Sequence, residues 1–132
     1  MKRSAALQPL SREHHSALKL AQACQRAALA RDEAAAACQN ALQVYADELA
    51  AHFFCEEQTL LPLLLATPQQ PLAERTLAEH RQLYALLAGL RRNDAAALQR
   101  FGVCLAAHVR FEERELFPAL EIKLVELDKT GQ

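Results

Sequence analysis

A twelve-residue stretch of this chain occurs twice, and that repeat constrains the fold more than any other feature. Ala51-His52-Phe53-Phe54-Cys55-Glu56-Glu57-Gln58-Thr59-Leu60-Leu61-Pro62 matches Ala107-His108-Val109-Arg110-Phe111-Glu112-Glu113-Arg114-Glu115-Leu116-Phe117-Pro118 at the alanine, the histidine, both glutamates, the leucine and the proline. One helix earlier, each copy is preceded by a Glu-His doublet, Glu13-His14 and Glu79-His80. Two halves of the same plan therefore have to pack on each other, related by an approximate two-fold axis. With Gly 3 and Pro 5 among 132 residues, turn signals are few, so the repeated elements must be long. Alanine and leucine dominate, and both favour helix. The expected class is all-α.

Hydrophobic periodicity predicts four helices, about 11–30, 33–66, 72–91 and 94–127, in a single domain 1–132. Leu10-Ser11 reads as a start, with Ser11 as cap and Leu10 as staple. Pro62 should kink or end the second helix. Thr67-Pro68 and Pro71 mark the connection to the third. Asn93-Asp94 reads as a turn and cap before the fourth, which carries Pro118 inside it. Short connectors make neighbours antiparallel, in an up-down-up-down four-helix bundle.

Several function classes drop out. The formal net charge is -1 with no basic patch, so no nucleic-acid partner is expected. No apolar stretch reaches about 18 residues, so no membrane span is expected. The run after Met1-Lys2-Arg3 is too short for a signal peptide, which makes a cytoplasmic location the expectation. Cys24, Cys38, Cys55 and Cys104 form no C-x-x-C pair and read as buried thiols.

The repeat carries the chemistry. His52 and Glu56 are four apart, as are His108 and Glu112, a spacing that puts both side chains on one helix face. Two such helices facing each other supply two imidazoles and two carboxylates. His14 and His80 complete a set of four histidines and two glutamates. A nitrogen and oxygen set without thiolate suits iron or manganese and tolerates zinc. Carboxylates can bridge two ions within a bundle core, though ferritin-type sites use Glu-x-x-His instead. One His/Glu pair alone would be an ordinary decorated helix. Here it recurs on a second helix in a matching context, and four of the five histidines fall one to a helix. The bland alternative is a pair of amphipathic helices left by duplication. His15 cannot face the way His14 does and is expected partly exposed. Glu57 and Glu113 lie about 100° from the bridging candidates and read as supporting or solvated charges, with direct reach to a metal as the alternative. Glu13 and Glu79 are expected at the surface, with acceptance of a hydrogen bond from an imidazole as the alternative.

These residues resemble the hemerythrin family in its bacterial single-domain HHE form, over roughly Leu10 to Leu127. Glu13-His14, His52-x-x-x-Glu56, Glu79-His80 and His108-x-x-x-Glu112 carry the resemblance, with Leu60-Leu61-Pro62 and Leu116-Phe117-Pro118 closing each motif. The resemblance implies a left-handed bundle around two iron ions in an oxo- or hydroxo-bridged centre. His14 and His52 would bind one ion, His80 and His108 the other, and Glu56 and Glu112 would bridge them. The chain also departs from the family's oxygen carriers. Those members have a second histidine four residues away on the third helix, where this chain has Tyr84 and Thr76. They also have an aspartate at longer spacing on the fourth. One nitrogen ligand is therefore missing, and Tyr84 becomes a candidate ligand or hydrogen-bond donor.

The departure favours a binding or sensing module for a small diatomic (oxygen or nitric oxide) or peroxide over reversible oxygen carriage. Phe53, Leu60, Phe111 and Leu116 would form its water-excluding lining. The alternatives are a di-iron oxidoreductase of peroxidase or nitric-oxide reductase type, and an iron storage or donation protein. Sensing would act through a separate protein partner or a homo-oligomer.

Overall fold

The structure, a computed structural model, describes residues 3–130; Met1, Lys2, Gly131 and Gln132 of the expected domain lie outside the described residues. It is an all-α bundle of four rods, with no strand among the described residues. The first rod is α1 (Gln8–Ala28). The second runs through α2 (Arg31–Val44), a π turn (Tyr45–Leu49), α3 (Ala50–Cys55), a second π turn (Glu56–Leu60) and a 3-10 turn (Leu61–Leu64). The third is α4 (Gln70–Arg91). The fourth joins α5 (Ala95–Phe111), a π turn (Glu112–Leu116) and α6 (Phe117–Thr130).

The helix starts correct the sequence reading in one place. α1 begins at Gln8, with no side-chain cap and with Pro9 in its first turn. The fixed φ of proline suits that position and its missing N–H is not needed there. Ser11 therefore lies inside the helix, and its hydroxyl donates to Glu113 Oε2 at 2.7 Å. At the other end of the chain Asp94 caps α5 as expected, accepting from Ala96 N at 2.9 Å. Asn93 turns the backbone with φ 58°.

The two repeated prolines behave differently. After Pro62 the rod stops, because the 3-10 turn leads into Ala66 at φ 59° and Thr67 folds its hydroxyl onto Leu64 O at 2.6 Å. The fourth rod passes through Pro118 and stays helical to Thr130. In both copies a π turn opens at the motif's first glutamate. Leu61 N–H donates to Glu56 O, and Phe117 N–H to Glu112 O, each five residues back. Widening the turn by one residue changes the hydrogen-bond register just ahead of a proline that cannot donate.

Among the described residues, the buried apolar side chains form two clusters. One holds Ala17, Leu20, Ala21, Leu49, Phe53, Leu83, Leu87, Phe101, Leu105 and others. The second holds Leu7, Leu10, Leu60, Leu64, Ala73, Phe111, Leu116, Phe117 and Leu120. The first and fourth rods approach closely at Gly102, where an added Cβ would lie 2.7 Å from Ala21 O. Among the described residues, no helix is long and apolar enough to cross a membrane.

Candidate metal centre

A polar layer separates the two apolar clusters along every rod. His14 lies between Leu10 and Ala17 on α1, and His80 between Ala73 and Leu83 on α4. His108 lies between Leu105 and Phe111 on α5, and His52 stands on α3 beside Phe53. Glu56 and Glu112 open their π turns and are 0% exposed.

The structure brings all six residues together. His14 Nε2 is 2.8 Å from Glu112 Oε1, and His108 Nε2 is 3.1 Å from Glu112 Oε2. His52 Nε2 is 3.1 Å from Glu56 Oε2, and His80 Nε2 is 3.0 Å from Glu56 Oε1. Each glutamate thus offers one oxygen to each histidine pair. Two four-residue groups result: His14, His52, Glu56 and Glu112, and Glu56, His80, His108 and Glu112. Within each, the ligand atoms lie within 4.8 Å of one another. Two donors at right angles, each about 2.1 Å from a shared ion, are about 3.0 Å apart. The observed separations fit that spacing.

The far nitrogen of every imidazole meets a second carboxylate. Glu13 on the first rod accepts from His52 Nδ1 on the second at 2.8 Å. Glu57 on the second accepts from His80 Nδ1 on the third at 2.7 Å. Glu79 on the third accepts from His108 Nδ1 on the fourth at 2.7 Å. Glu113 on the fourth accepts from His14 Nδ1 on the first at 2.6 Å, closing a ring. A carboxylate only accepts, so each Nδ1 carries the proton and each Nε2 is the ring atom turned inward.

The inner atoms then lack what they need. Both Glu56 oxygens, Glu112 Oε2, His80 Nε2 and His108 Nε2 are buried without a hydrogen-bond partner. Acceptors face acceptors, an arrangement that costs energy unless a cation or protons lie between them. Without a cation, protons fill the role. Burial works against a charged His52, but the facing Glu112 and Glu56 outweigh it and push its pKa up to about 11. His80 rises to about 10 and His108 to about 9 against the same burial, through Glu112, Glu56 and the outer glutamates. Burial and the charge of Glu112 raise Glu56, while Glu112, despite its burial, is held well below the usual carboxylate range by His108, His14 and His52. The donor set therefore fits a pair of metal ions.

Aromatic rings wall the layer. Phe53 stacks on His80 with centroids 4.1 Å apart, and Phe117 stacks on His14 at 5.0 Å. The expected lining residues Phe53, Leu60, Phe111 and Leu116 are all buried. A cavity of about 10 Å³ touches His14, His52 and His108 and is otherwise closed mainly by Ala17, Leu49, Phe53, Leu105 and Val109. That is room for about one water-sized molecule. An open groove of about 460 Å³ runs past His80 and Glu57 between Tyr45, Phe54 and Tyr84.

Tyr84 is 66% exposed and stands in the groove wall, outside the buried six. Thr76, on the other side of His80, is buried with its hydroxyl donating to Leu72 O at 2.8 Å. His15 is exposed. Sequence reasoning favoured the surface for Glu13 and Glu79 over a hydrogen bond from an imidazole. Glu13 is indeed half exposed, yet both hold an imidazole. Part of the signal was available: on each rod one inner histidine or glutamate has an acidic neighbour, as Glu13-His14, Glu56-Glu57, Glu79-His80 and Glu112-Glu113.

Residues 2–64, a little under half of the chain, match the family model of the Hemerythrin HHE cation binding domain. The match takes in Glu13, His14, His52 and Glu56. No curated protein and no solved structure matches the chain. The family match and the buried His/Glu groups together support a metal-binding protein.

Proposed function

We propose that this chain, hemerythrin-like by its family match, holds two iron ions and binds a small diatomic or peroxide ligand at them. The observation that carries the reading is the sharing of Glu56 and Glu112, each with one oxygen toward each histidine pair. His14 and His52 would hold one ion, His80 and His108 the other, and the two glutamates would bridge. Bound there, an iron pair would supply reversible two-electron chemistry. Charge agrees with two divalent ions. The six carboxylates of the inner and outer sets exceed the paired Arg3 and Arg75 by four negative charges.

The chain's own residues account for the rest. The outer glutamates fix each imidazole plane and keep Nε2 free to bind. Leu49, Phe53, Leu105 and Val109 keep bulk water from the small cavity, whose size favours the smallest ligands. Metal analysis of protein purified without added metal, with an absorption spectrum, tests the cofactor. Two irons per chain are expected, and zinc in their place would remove the redox reading. Anaerobic reduction followed by oxygen or nitric oxide tests the ligand. A spectral change that reverses on removing the gas is expected; irreversible oxidation with no adduct counts against gas binding.

One observation favours an oxidoreductase as the second reading. The groove beside His80 is wide enough for an organic electron donor and brings it within reach of Glu57 and Tyr84. Sustained peroxide consumption with such a donor, abolished in Glu56→Ala, would select it. Ready transfer of iron to an apo-acceptor would instead mark storage or donation.

A further inference from the structure

We propose that Arg3 and Arg75 are positioning residues of the centre, one for each histidine pair, acting through Glu113 and Glu79. The proposal rests on the metal reading above and adds a layer to it. Arg75 Nε donates to Glu79 Oε2 at 2.9 Å, and the other oxygen of Glu79 accepts from His108 at 2.7 Å. The same guanidinium lies 3.9 Å over the ring of Phe111, and its other arm approaches Glu115 at 3.5 Å. Arg3 repeats the pattern across the molecule. Its Nη2 donates to Glu113 Oε1 at 3.1 Å and to the Glu113 carbonyl at 2.8 Å. The other oxygen of Glu113 accepts from His14 at 2.6 Å. Arg3 also sits 5.6 Å over Phe117, the ring that stacks on His14.

The two remaining outer carboxylates differ. Glu13 and Glu57 bond His52 and His80, and neither makes an ion pair with an arginine among the described residues. They are 49% and 36% exposed. Each histidine pair therefore has one braced member, His14 or His108, and one unbraced member, His52 or His80. A carboxylate gripped by a guanidinium that itself lies over a phenyl ring is less free to swing away. It also passes less negative charge to its imidazole, because the arginine takes a share. The two imidazoles of a pair are thus unequal, and the braced one holds its geometry when the other moves.

Cobalt(II), a spectroscopic probe for nitrogen and oxygen sites, tests this in the full chain. Arg75→Gln should weaken one of the two cobalt affinities by roughly 10-fold or more, leave the other within about twofold, and shift only one set of visible bands. Arg75→Lys should recover little, because lysine lacks the planar fork and the stack. In a Glu79→Gln background, Arg75→Gln should add nothing, since its route to the metal is gone. Arg3→Gln should act on the opposite ion. Unchanged affinities in Arg75→Gln overturn the proposal. So does an equal effect without Glu79, or a fall in metal-free thermal stability that accounts for the loss. Failure of the unmodified chain to bind cobalt would instead sink the metal centre itself.

Discussion

The sharing of both glutamates makes a quantitative claim about heat stability. An ion that binds only the folded chain stabilises it by about 2.7 kcal/mol when free metal stands at about 100 times Kd, so two ions contribute about 5.4 kcal/mol. With about 2.1 cal/mol/K of unfolding entropy per residue, 132 residues give about 0.28 kcal/mol/K. Chelation should therefore lower Tm by about 20 °C, and loss of one ion by about 10 °C, under those conditions. His14 belongs to one four-residue group and Glu112 to both. His14→Ala should then keep about half of the difference between loaded and chelated Tm, whereas Glu112→Ala should lose nearly all of it. Taking the difference within each variant cancels whatever the substitution does to the metal-free fold. Scanning calorimetry with and without chelator reads the quantity directly. If Glu112→Ala kept half the shift, or His14→Ala lost all of it, the two-ion geometry with common carboxylates would be wrong.

Three further outcomes follow from other parts of the molecule. In the metal-free chain, His52, His80 and His108 are raised above their ordinary value, so the stability they contribute is complete below pH about 6.5. It is lost as pH rises through about 9 to about 11; urea titrations of chelated protein should show this fall, and a flat profile would refute it. Gly102→Ala should destabilise by about 1–2 kcal/mol despite alanine's better helix propensity, because the new methyl meets the fixed Ala21 carbonyl at 2.7 Å; a raised Tm would show that α1 and α5 separate freely. Burial, with Cys38 nearby, pushes the Cys24 thiol up to about 11, and Cys38 is fully buried. Iodoacetamide on folded protein should thus label at most half-buried Cys55 and Cys104, with all four labelled after denaturation, as read by mass.

Much of the site was legible because its signal is local. His52 and Glu56, or His108 and Glu112, share a face by helical arithmetic alone, and duplication supplied the confirmation that one pair lacks. The π turns were not legible. A one-residue widening at Glu56 or Glu112 leaves the count of apolar residues per turn almost unchanged, whereas the expected stop or kink at Pro62 and the continuation through Pro118 are both found. The start of α1 was misplaced because Ser11 has the chemistry of a cap, and only the fourth rod reveals that Glu113 claims its hydroxyl. For Glu13 and Glu79 the hydrogen bond to an imidazole was the less favoured of two readings for a related reason. Which imidazole a glutamate meets across a rod interface depends on how each rod is rotated about its axis, and spacing along one chain segment does not encode that.

The closed circuit from Glu13 to His52, Glu57 to His80, Glu79 to His108 and Glu113 to His14 has a mechanical consequence. Every rod both steers a neighbour's ring and has its own steered in turn. Rolling any one of them disturbs two imidazoles, its own and the one its glutamate holds on the next rod. Such a circuit resists small local excursions. Where it gives way, the rings of His52 and His80 should move first, since the carboxylates behind His14 and His108 are also tied to Arg3 and Arg75.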